Sequence, residues 1–370
     1  MLEKNILVKL FVAVFILVVI FSAPVFAMTS AEISSQVEVK GWKYVIDASE
    51  EMVDTAKFKK DGPYTIGYVT IFMSNSWSTQ MKEEIMVEAE KQEMVESIVH
   101  LDAQLEVAKQ ISAVEDLVAK GVDAIVIDPV SPQAMQGVLT MAQDNGIPVI
   151  AISSQIPLEQ VTAWVGRDDK EYGRVTAQWL VEELGYKGNI VALSGIAGNP
   201  VTEQRWAGAE EVFKENEDIE VITREFADWG FAQAKSAMAN ILSAYPQIDA
   251  VWSGGGAMTQ GAMEAYSDAG REMIPMVGEA NNGFLLDWIE ASQNGFSSIA
   301  FNNPTSHSAI GLKLALKALN GEPIPEQLNV TAPYIFTLQD AEKYADENLE
   351  DGYWVGTTLS REKIEELWSK

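Results

Sequence analysis

One pattern constrains this chain more than any other. Short apolar runs alternate with helix-forming stretches of about 10–15 residues, and the alternation runs twice. Tyr64–Phe72 is rich in β-branched and aromatic residues and follows the breaker Asp61-Gly62-Pro63. That composition predicts a buried strand. Helix 79–92, strand 94–101, helix 106–120, an apolar run at 124–127, helix 132–145 and strand 147–152 follow in turn. Gly121 and Gly146 stand where two of these helices must stop. Trp164-Val165-Gly166-Arg167-Asp168-Asp169 breaks the rhythm.

The program then restarts with helix 170–184 and strand 189–194. Helix 201–215, strand 219–225, helix 232–245 and strand 250–252 come next, then helix 257–269, strand 275–278, helix 283–293 and strand 297–302. Alternation of this kind means βαβ units on parallel sheets. The expected fold is α/β, with two similar doubly wound parallel-sheet lobes. No third domain begins after Asn302. Residues 306–320 form one amphipathic helix, and Pro323, Pro325 and Pro333 mark extended crossings that complete both lobes.

Composition removes several classes of function. The chain has 370 residues and a net charge of −28. Such a balance argues against nucleic acid and anionic membranes, which need clustered Lys and Arg. There are no cysteines and only two histidines, His100 and His307. Disulfides, thiolate metal sites and thiol nucleophiles are therefore ruled out, and no metal is expected. Lys4 and Lys9, the apolar Leu10–Phe21 and Val25-Phe26-Ala27 read as an export signal cleaved after Ala27. An uncleaved anchor is the alternative. The product is expected to be extracytoplasmic and periplasmic. Residues 28–61 read as a peripheral extension, with a short helix over 50–60.

Ligands bind beyond the carboxyl ends of strands in such sheets. The first strand opens into Met73-Ser74-Asn75-Ser76-Trp77-Ser78-Thr79. Asn75 can donate and accept, and the Trp77 indole can pack on a partly apolar solute. The competing reading is an ordinary helix start capped by Ser76 or Ser78. Trp229 also stands at a strand end, with core packing as its alternative. Glu279, Asn281 and Asn302 follow the late strands; a surface carboxylate and turn formation are the bland readings. Gly254-Gly255-Gly256 lacks the lysine and hydroxyl of a P-loop, so Gly255 more plausibly admits a close ligand than a phosphate. His307 reads as a helix-start histidine, because no Gly-x-Ser-x-Gly is present.

Taken in order, several stretches resemble the periplasmic sugar-binding proteins of ABC importers, of the ribose-, arabinose- and galactose-binding type. They are Asn75-Ser76-Trp77, Leu101-Asp102-Ala103-Gln104, Gly121–Pro129, Gly146-Ile147-Pro148-Val149-Ile150, Gly254–Ala262 and Met276-Val277-Gly278. The resemblance implies two lobes joined by a three-stranded hinge, with sugar trapped between them. It implies a first lobe of 62–165 plus 302–328 and a second of 166–301 plus 329–370. Arg205 matches a family arginine; its alternative is a salt bridge to Glu203 or Glu210. Ser153, Ser154 and Gln155 stand where the family often has an acid and an arginine, so the resemblance leaves a charged clamp partly missing. Hydrogen-bond duty then moves to Arg205, Glu279, Asn281 and Asn302.

The expected function is delivery of a small sugar-like solute to an ABC permease. A pentose, a substituted or deoxy pentose, or a polyol is expected, with no cofactor, no catalysis and a monomeric chain. A sugar-sensing module for a chemoreceptor or sensor kinase is the alternative, and a secreted enzyme a more distant one.

Overall fold

The computed structural model describes residues 45–331 and 335–370, preceded by two short strands at Glu38–Val39 and Trp42–Lys43. The expected export signal lies outside the described residues. Among the described residues no helix is long and apolar enough to cross a membrane.

Six strands come first: β1 (Val45–Ala48), β2 (Tyr64–Thr70), β3 (Val95–Asp102), β4 (Ala124–Ile127), β5 (Val149–Ser153) and β6 (Ala163–Gly166). Five follow: β7 (Gly188–Ser194), β8 (Ile219–Phe226), β9 (Ala250–Ser253), β10 (Met276–Glu279) and β11 (Ser298–Phe301). Then come β12 (Gln327–Thr331) and β13 (Ile335–Phe336). They form two sheets, ordered β1-β12-β6-β5-β4-β2-β3 and β8-β7-β9-β10-β11-β13. Neighbours run parallel except at the edges, where β1 lies antiparallel to β12 and β13 antiparallel to β11.

The helices are α1 (Ser76–Glu90), α2 (Val107–Lys120), α3 (Pro132–Asp144), α4 (Asp169–Glu183), α5 (Pro200–Glu215) and α6 (Phe231–Ala244). They continue with α7 (Gly256–Asp268), α8 (Asn282–Ser292), α9 (His307–Leu319), α10 (Leu338–Tyr344) and α11 (Arg361–Trp368). Gly121 ends α2 in the left-handed region at φ 72°, as its position predicts.

Both sheets are covered on both faces, which is why an inner strand such as β4 is apolar throughout, while the outer strands β3 and β8 carry polar residues such as Glu96, His100, Glu220 and Arg224. In β4, Ala124 and Val126 enter one core with Ile85 of α1 and Leu312 of α9. Ile125 and Ile127 enter the other, with Leu117 of α2 and Leu139 of α3. In β7, Val191 and Leu193 meet Met238 of α6 and Met258 of α7. Ile190 and Ala192 meet Leu180 of α4 and Val212 of α5. The two-residue period of a strand produces this division.

The segment expected to break the rhythm contains β6, a fully buried parallel strand of 4 residues. It breaks the alternation because only the 3-10 turn Leu158–Gln160, and no crossover helix, separates it from its parallel neighbour β5. The segment before β2 is not merely peripheral. It contributes β1 to the first sheet, and Met52–Val53 pairs with Ile324–Pro325. The helix expected over 50–60 is reduced to a 3-10 turn, Ala56–Phe58, whose Phe58 is buried. Burying that ring and pairing the flanking backbone outweigh a weak local helical preference.

The chain passes between lobes at Arg167–Asp168, at Asn302–Ser306, and again after β12. The boundary expected at 328 falls inside β12. The first two passages lie beside the mouth between the sheets, where Arg167 and Asn303 line it.

Helices α4 and α5 cross at backbone contact. A methyl group at Gly173 would stand 1.7 Å from the Arg205 carbonyl oxygen, and one at Gly208 would stand 1.9 Å from that of Lys170. Alanine normally favours a helix over glycine by about 1 kcal/mol. Here Gly173→Ala and Gly208→Ala are expected to destabilise the protein by about 2 kcal/mol or more, because helices must separate. Urea unfolding of either variant at or above wild-type stability would refute the close crossing.

Candidate functional site

The mouth between the sheets holds a cleft of about 610 Å³, including its opening to solvent.

Its first wall comes from the first lobe. Asn75 is the N-cap of α1, and its Oδ1 accepts from the Ser78 backbone N–H at 2.9 Å. The cap is thus Asn75 rather than Ser76 or Ser78, and capping holds its amide at the cleft. Trp77, in the first turn, donates from Nε1 to the Asn303 carbonyl at 3.1 Å, and its ring lies edge-on to His307. Asp128 follows β4, and its Oδ1 accepts from the Ser154 backbone N–H at 3.2 Å. Ser153 sits at φ 58°, a left-handed conformation uncommon for a side-chain-bearing residue.

The opposite wall comes from the second lobe. Asn199 caps α5 by accepting from the N–H groups of Val201 and Thr202 at 3.0 and 3.3 Å. Arg205, farther along the same helix, is 1% exposed. Its Nε donates to Asp169 at 2.9 Å, and its Nη1 lies 2.8 Å from Glu279 and also bonds the Gly254 carbonyl. The guanidinium is packed between rings, 4.1 Å from the Tyr172 centroid and 5.0 Å from that of Trp229. Asp228 and Trp229 both adopt positive φ, 49° and 59°, which turns the indole onto Gly195 and Gly255. A methyl at Gly195 would stand 2.1 Å from that indole.

Residues of the crossings complete the floor. Arg167 donates from Nε to Asp169 at 2.7 Å. Asn303 donates from Nδ2 to Glu279 at 3.0 Å. Arg167, Asp169, Arg205 and Glu279 therefore form one buried network in which two cations meet two carboxylates. Burial alone would lower the Arg205 pKa, but Glu279 and Asp169 raise it above its ordinary value. Burial and the neighbouring Arg205 cation lower that of Arg167. Both guanidinium groups remain charged. Burial pushes the Asp128 carboxyl up to about 7, against the Ser154 N–H and the Arg167 cation. Burial, with Arg167 nearby, takes the His307 imidazole down to about 3, so it is neutral as a helix-start core residue.

The cleft gathers Asn75, Trp77, Ser153, Ser154, Arg205, Trp229, Gly255 and Glu279. Three expected residues lie elsewhere. Gln155 is exposed beyond the turn at Ser153 and borders a separate recess with Asp168 and Gln327. Asn281 is the N-cap residue of α8, and its amide meets that of Gln260 at 2.8 Å. Asn302 is buried but does not line the cleft; its neighbour Asn303 does. Arg205 pairs with Asp169 and Glu279 rather than Glu203 or Glu210.

Two charged residues that sequence reasoning did not single out also line the cleft. They arrive from the neighbouring strand as Asp128 and from the crossing as Arg167. Asp128 could have been found in sequence as the polar residue ending an apolar run. Arg167, Asn303 and Trp354 carried no local signal. Among the described residues no cluster of His, Cys, Asp or Glu could hold a metal ion.

This chain belongs to the periplasmic binding protein domain family, whose model matches residues 66–323. Particular relatives narrow the comparison. The chain is 31% identical over 258 residues to a xylitol-binding protein of Mycolicibacterium smegmatis, covering 69% of this chain and 72% of that one. It is 27% identical over 270 residues to the ribose import binding protein of Bacillus subtilis, covering 73% and 86%. An ABC transporter periplasmic solute binding protein from Actinobacillus succinogenes, solved with bound D-allose, superposes with a TM-score of 0.67 at 26% identity, covering 76% of this chain and 100% of that one.

The raised Asp128 pKa has a defined stability signature. Between about pH 4 and 7 the unfolded carboxyl is ionised while the folded one is still protonated. Its contribution to stability therefore falls as pH rises through that window and levels off above about 7. Asp128→Asn is expected to gain on the order of 1–4 kcal/mol over wild type between pH 4 and pH 8. Urea midpoints of ligand-free wild type and variant that run parallel across this range would contradict the assignment.

Proposed function

We infer that this protein binds a small neutral sugar or polyol between its lobes, outside the cytoplasm, and presents it to an ABC permease. The observation that carries this reading is the pairing inside the cleft. Arg167 and Arg205 are matched by Asp169 and Glu279, so the buried network holds no surplus cation for a free anionic solute. What the cleft offers instead is a mixture of donors and acceptors, namely Asn75, Asp128, Asn199 and Asn303, beside the indoles of Trp77 and Trp229. Hydroxyl groups both donate and accept, and the C–H face of a ring or polyol chain packs on an indole. A pentose, a substituted or deoxy pentose, or a polyol fits that chemistry. Relatives that bind xylitol and ribose by name support the same class.

The mechanism follows from the division of the site. Each lobe supplies one wall, and the crossings at Arg167 and Asn303 lie under the ligand. A solute touching both walls favours the closed arrangement by its differential affinity for it. Trp77 at the start of α1, bonded to the Asn303 carbonyl, links the first wall directly to a crossing. No step of covalent chemistry is assigned to the protein, and export places it beside its permease.

Thermal-shift and calorimetric titration against pentoses, hexoses, polyols, amino acids and carboxylates tests this reading. One sugar or polyol class is expected to raise the melting temperature in a concentration-dependent way. Arg205→Lys is expected to lose about 10–100-fold in affinity, since a fork bonded to Asp169, Glu279 and Gly254 is replaced by a point charge. Binding confined to amino acids or carboxylates would overturn the assignment.

A further inference from the structure

We propose that residues 345–370 are a fourth tie between the lobes, and that they present Trp354 to the ligand as a specificity-determining residue. The inference rests on the sugar-or-polyol reading above and deepens it. This stretch lies beyond the span matched by the family model, 66–323.

The tail is first a built part of the second lobe. Leu349, Tyr353, Val355, Leu359, Ile364 and Trp368 are buried in the core beneath α6, α7 and α8. The Asn282 N–H donates to the Tyr353 carbonyl at 2.7 Å, and the Val355 N–H to that of Ala280 at 3.1 Å. These bonds fix the backbone on either side of Trp354 against the end of β10, the strand that supplies Glu279.

The same tail grips α1 of the first lobe. Gln80 makes a reciprocal pair with the Trp354 backbone: its Oε1 accepts from the Trp354 N–H at 3.0 Å, and its Nε2 donates to the Trp354 carbonyl at 3.0 Å. One turn along, the buried Glu84 accepts from Thr357 Oγ1 at 2.7 Å and from the Thr358 N–H at 3.1 Å. It also accepts from Thr305 in the crossing before α9. Lys363 lies 3.4 Å from Glu83. Ser76, Gln80, Glu83 and Glu84 share the face of α1 set by its 3.6-residue period. A helix of the first lobe is thus bonded along one face to a segment folded into the second.

The tie places one side chain in the cleft. Trp354 is 6% exposed, and its Nε1 donates to Ser76 Oγ at 2.9 Å. Ser76 stands between Asn75 and Trp77, the two first-wall residues at the start of α1. The indole is therefore oriented by both lobes and lines the ligand space beside them. An indole clamped in this way cannot rotate aside for a bulkier substituent without breaking the Ser76 bond. It should reward a flat apolar edge and reject solutes with an added substituent on that side.

The test is calorimetric titration of ribose, xylitol, D-allose and myo-inositol into the full chain produced with its own leader. It compares wild type with Trp354→Ala, Trp354→Phe, Ser76→Ala and, as a control, Arg205→Lys. Trp354→Ala is expected to weaken the best ligand by about tenfold or more and to change the order of preference toward larger members. Trp354→Phe keeps an aromatic face and loses the N–H, and Ser76→Ala loses only the acceptor. Both should stay folded by circular dichroism and shift the order of preference by about threefold or more. Should Trp354→Ala fail to fold, these two carry the test. If all folded variants keep wild-type affinities and order while Arg205→Lys loses binding, the role of Trp354 is refuted and the function stands. If wild type binds none of the four, the sugar-or-polyol reading falls, and this inference falls with it.

Discussion

The buried network of Arg167, Asp169, Arg205 and Glu279 is the constraint on which the site depends. Side chains of all four are 6% exposed or less. A guanidinium taken out of water costs several kcal/mol unless carboxylates and hydrogen bonds replace the lost solvation. Asp169 serves both arginines at once, with one oxygen shared at 2.7 and 2.9 Å, and the buried Arg167 Nη1 is left without a hydrogen-bond partner. Glu279 completes the second arginine and receives Asn303. Removing any one member would leave an uncompensated buried charge. The first crossing, α4, α5, the end of β10 and the second crossing are therefore held in one geometry by one electrostatic unit.

Local backbone strain serves the same geometry. Ser153, Asp228 and Trp229 occupy the left-handed region, at on the order of 1–2 kcal/mol each for a side-chain-bearing residue. All three lie at strand ends facing the cleft. The packing that holds Trp229 there is specific, because Gly195 and Gly255 make room for its ring. Strain at strand ends of this kind is what a binding site built there leads one to expect.

Most of the architecture was legible because it rests on periodicity. Parallel sheets covered on both faces need continuous apolar strands, and crossover helices need apolar stripes, so the order of elements can be read from hydrophobic pattern alone. The β6 strand escaped because no crossover helix separates it from β5, only the 3-10 turn Leu158–Gln160, so the strand–helix alternation leaves no place for it. The edge strand β1 escaped because its pairing is with β12, nearly three hundred residues away. The site divided along the same line. Residues directly after strands, such as Asn75, Trp229 and Glu279, announce themselves by position. Arg167 and Asn303 belong to crossings, and Trp354 to a tail, where only the closed tertiary structure shows which way a side chain faces. Asn302 against Asn303 is the sharpest instance. Only Asn302 was singled out, yet only its neighbour Asn303 lines the cleft, a distinction that the order of two identical residues does not carry.

The unequal contributions of the two lobes give the cleft its logic. The first lobe offers Asn75, Trp77, Asp128 and Ser154, a polar and aromatic surface with one carboxyl that burial holds near neutrality. The second offers a charged network already neutralised within itself. Within the cleft, the Arg167–Asp169–Arg205–Glu279 network keeps its pairing when the first wall moves away. The energetic difference between open and closed arrangements then falls on contacts that the solute can supply, hydroxyl groups to both walls and an apolar face to the indoles. A cleft whose charges were paired only across the gap would close without cargo, because opposite charges would draw the lobes together. Here the charges that line the cleft are paired on one side and in the crossings, so they add no pull across the gap, and the solute's contacts add to those of the tail on α1 in favouring closure.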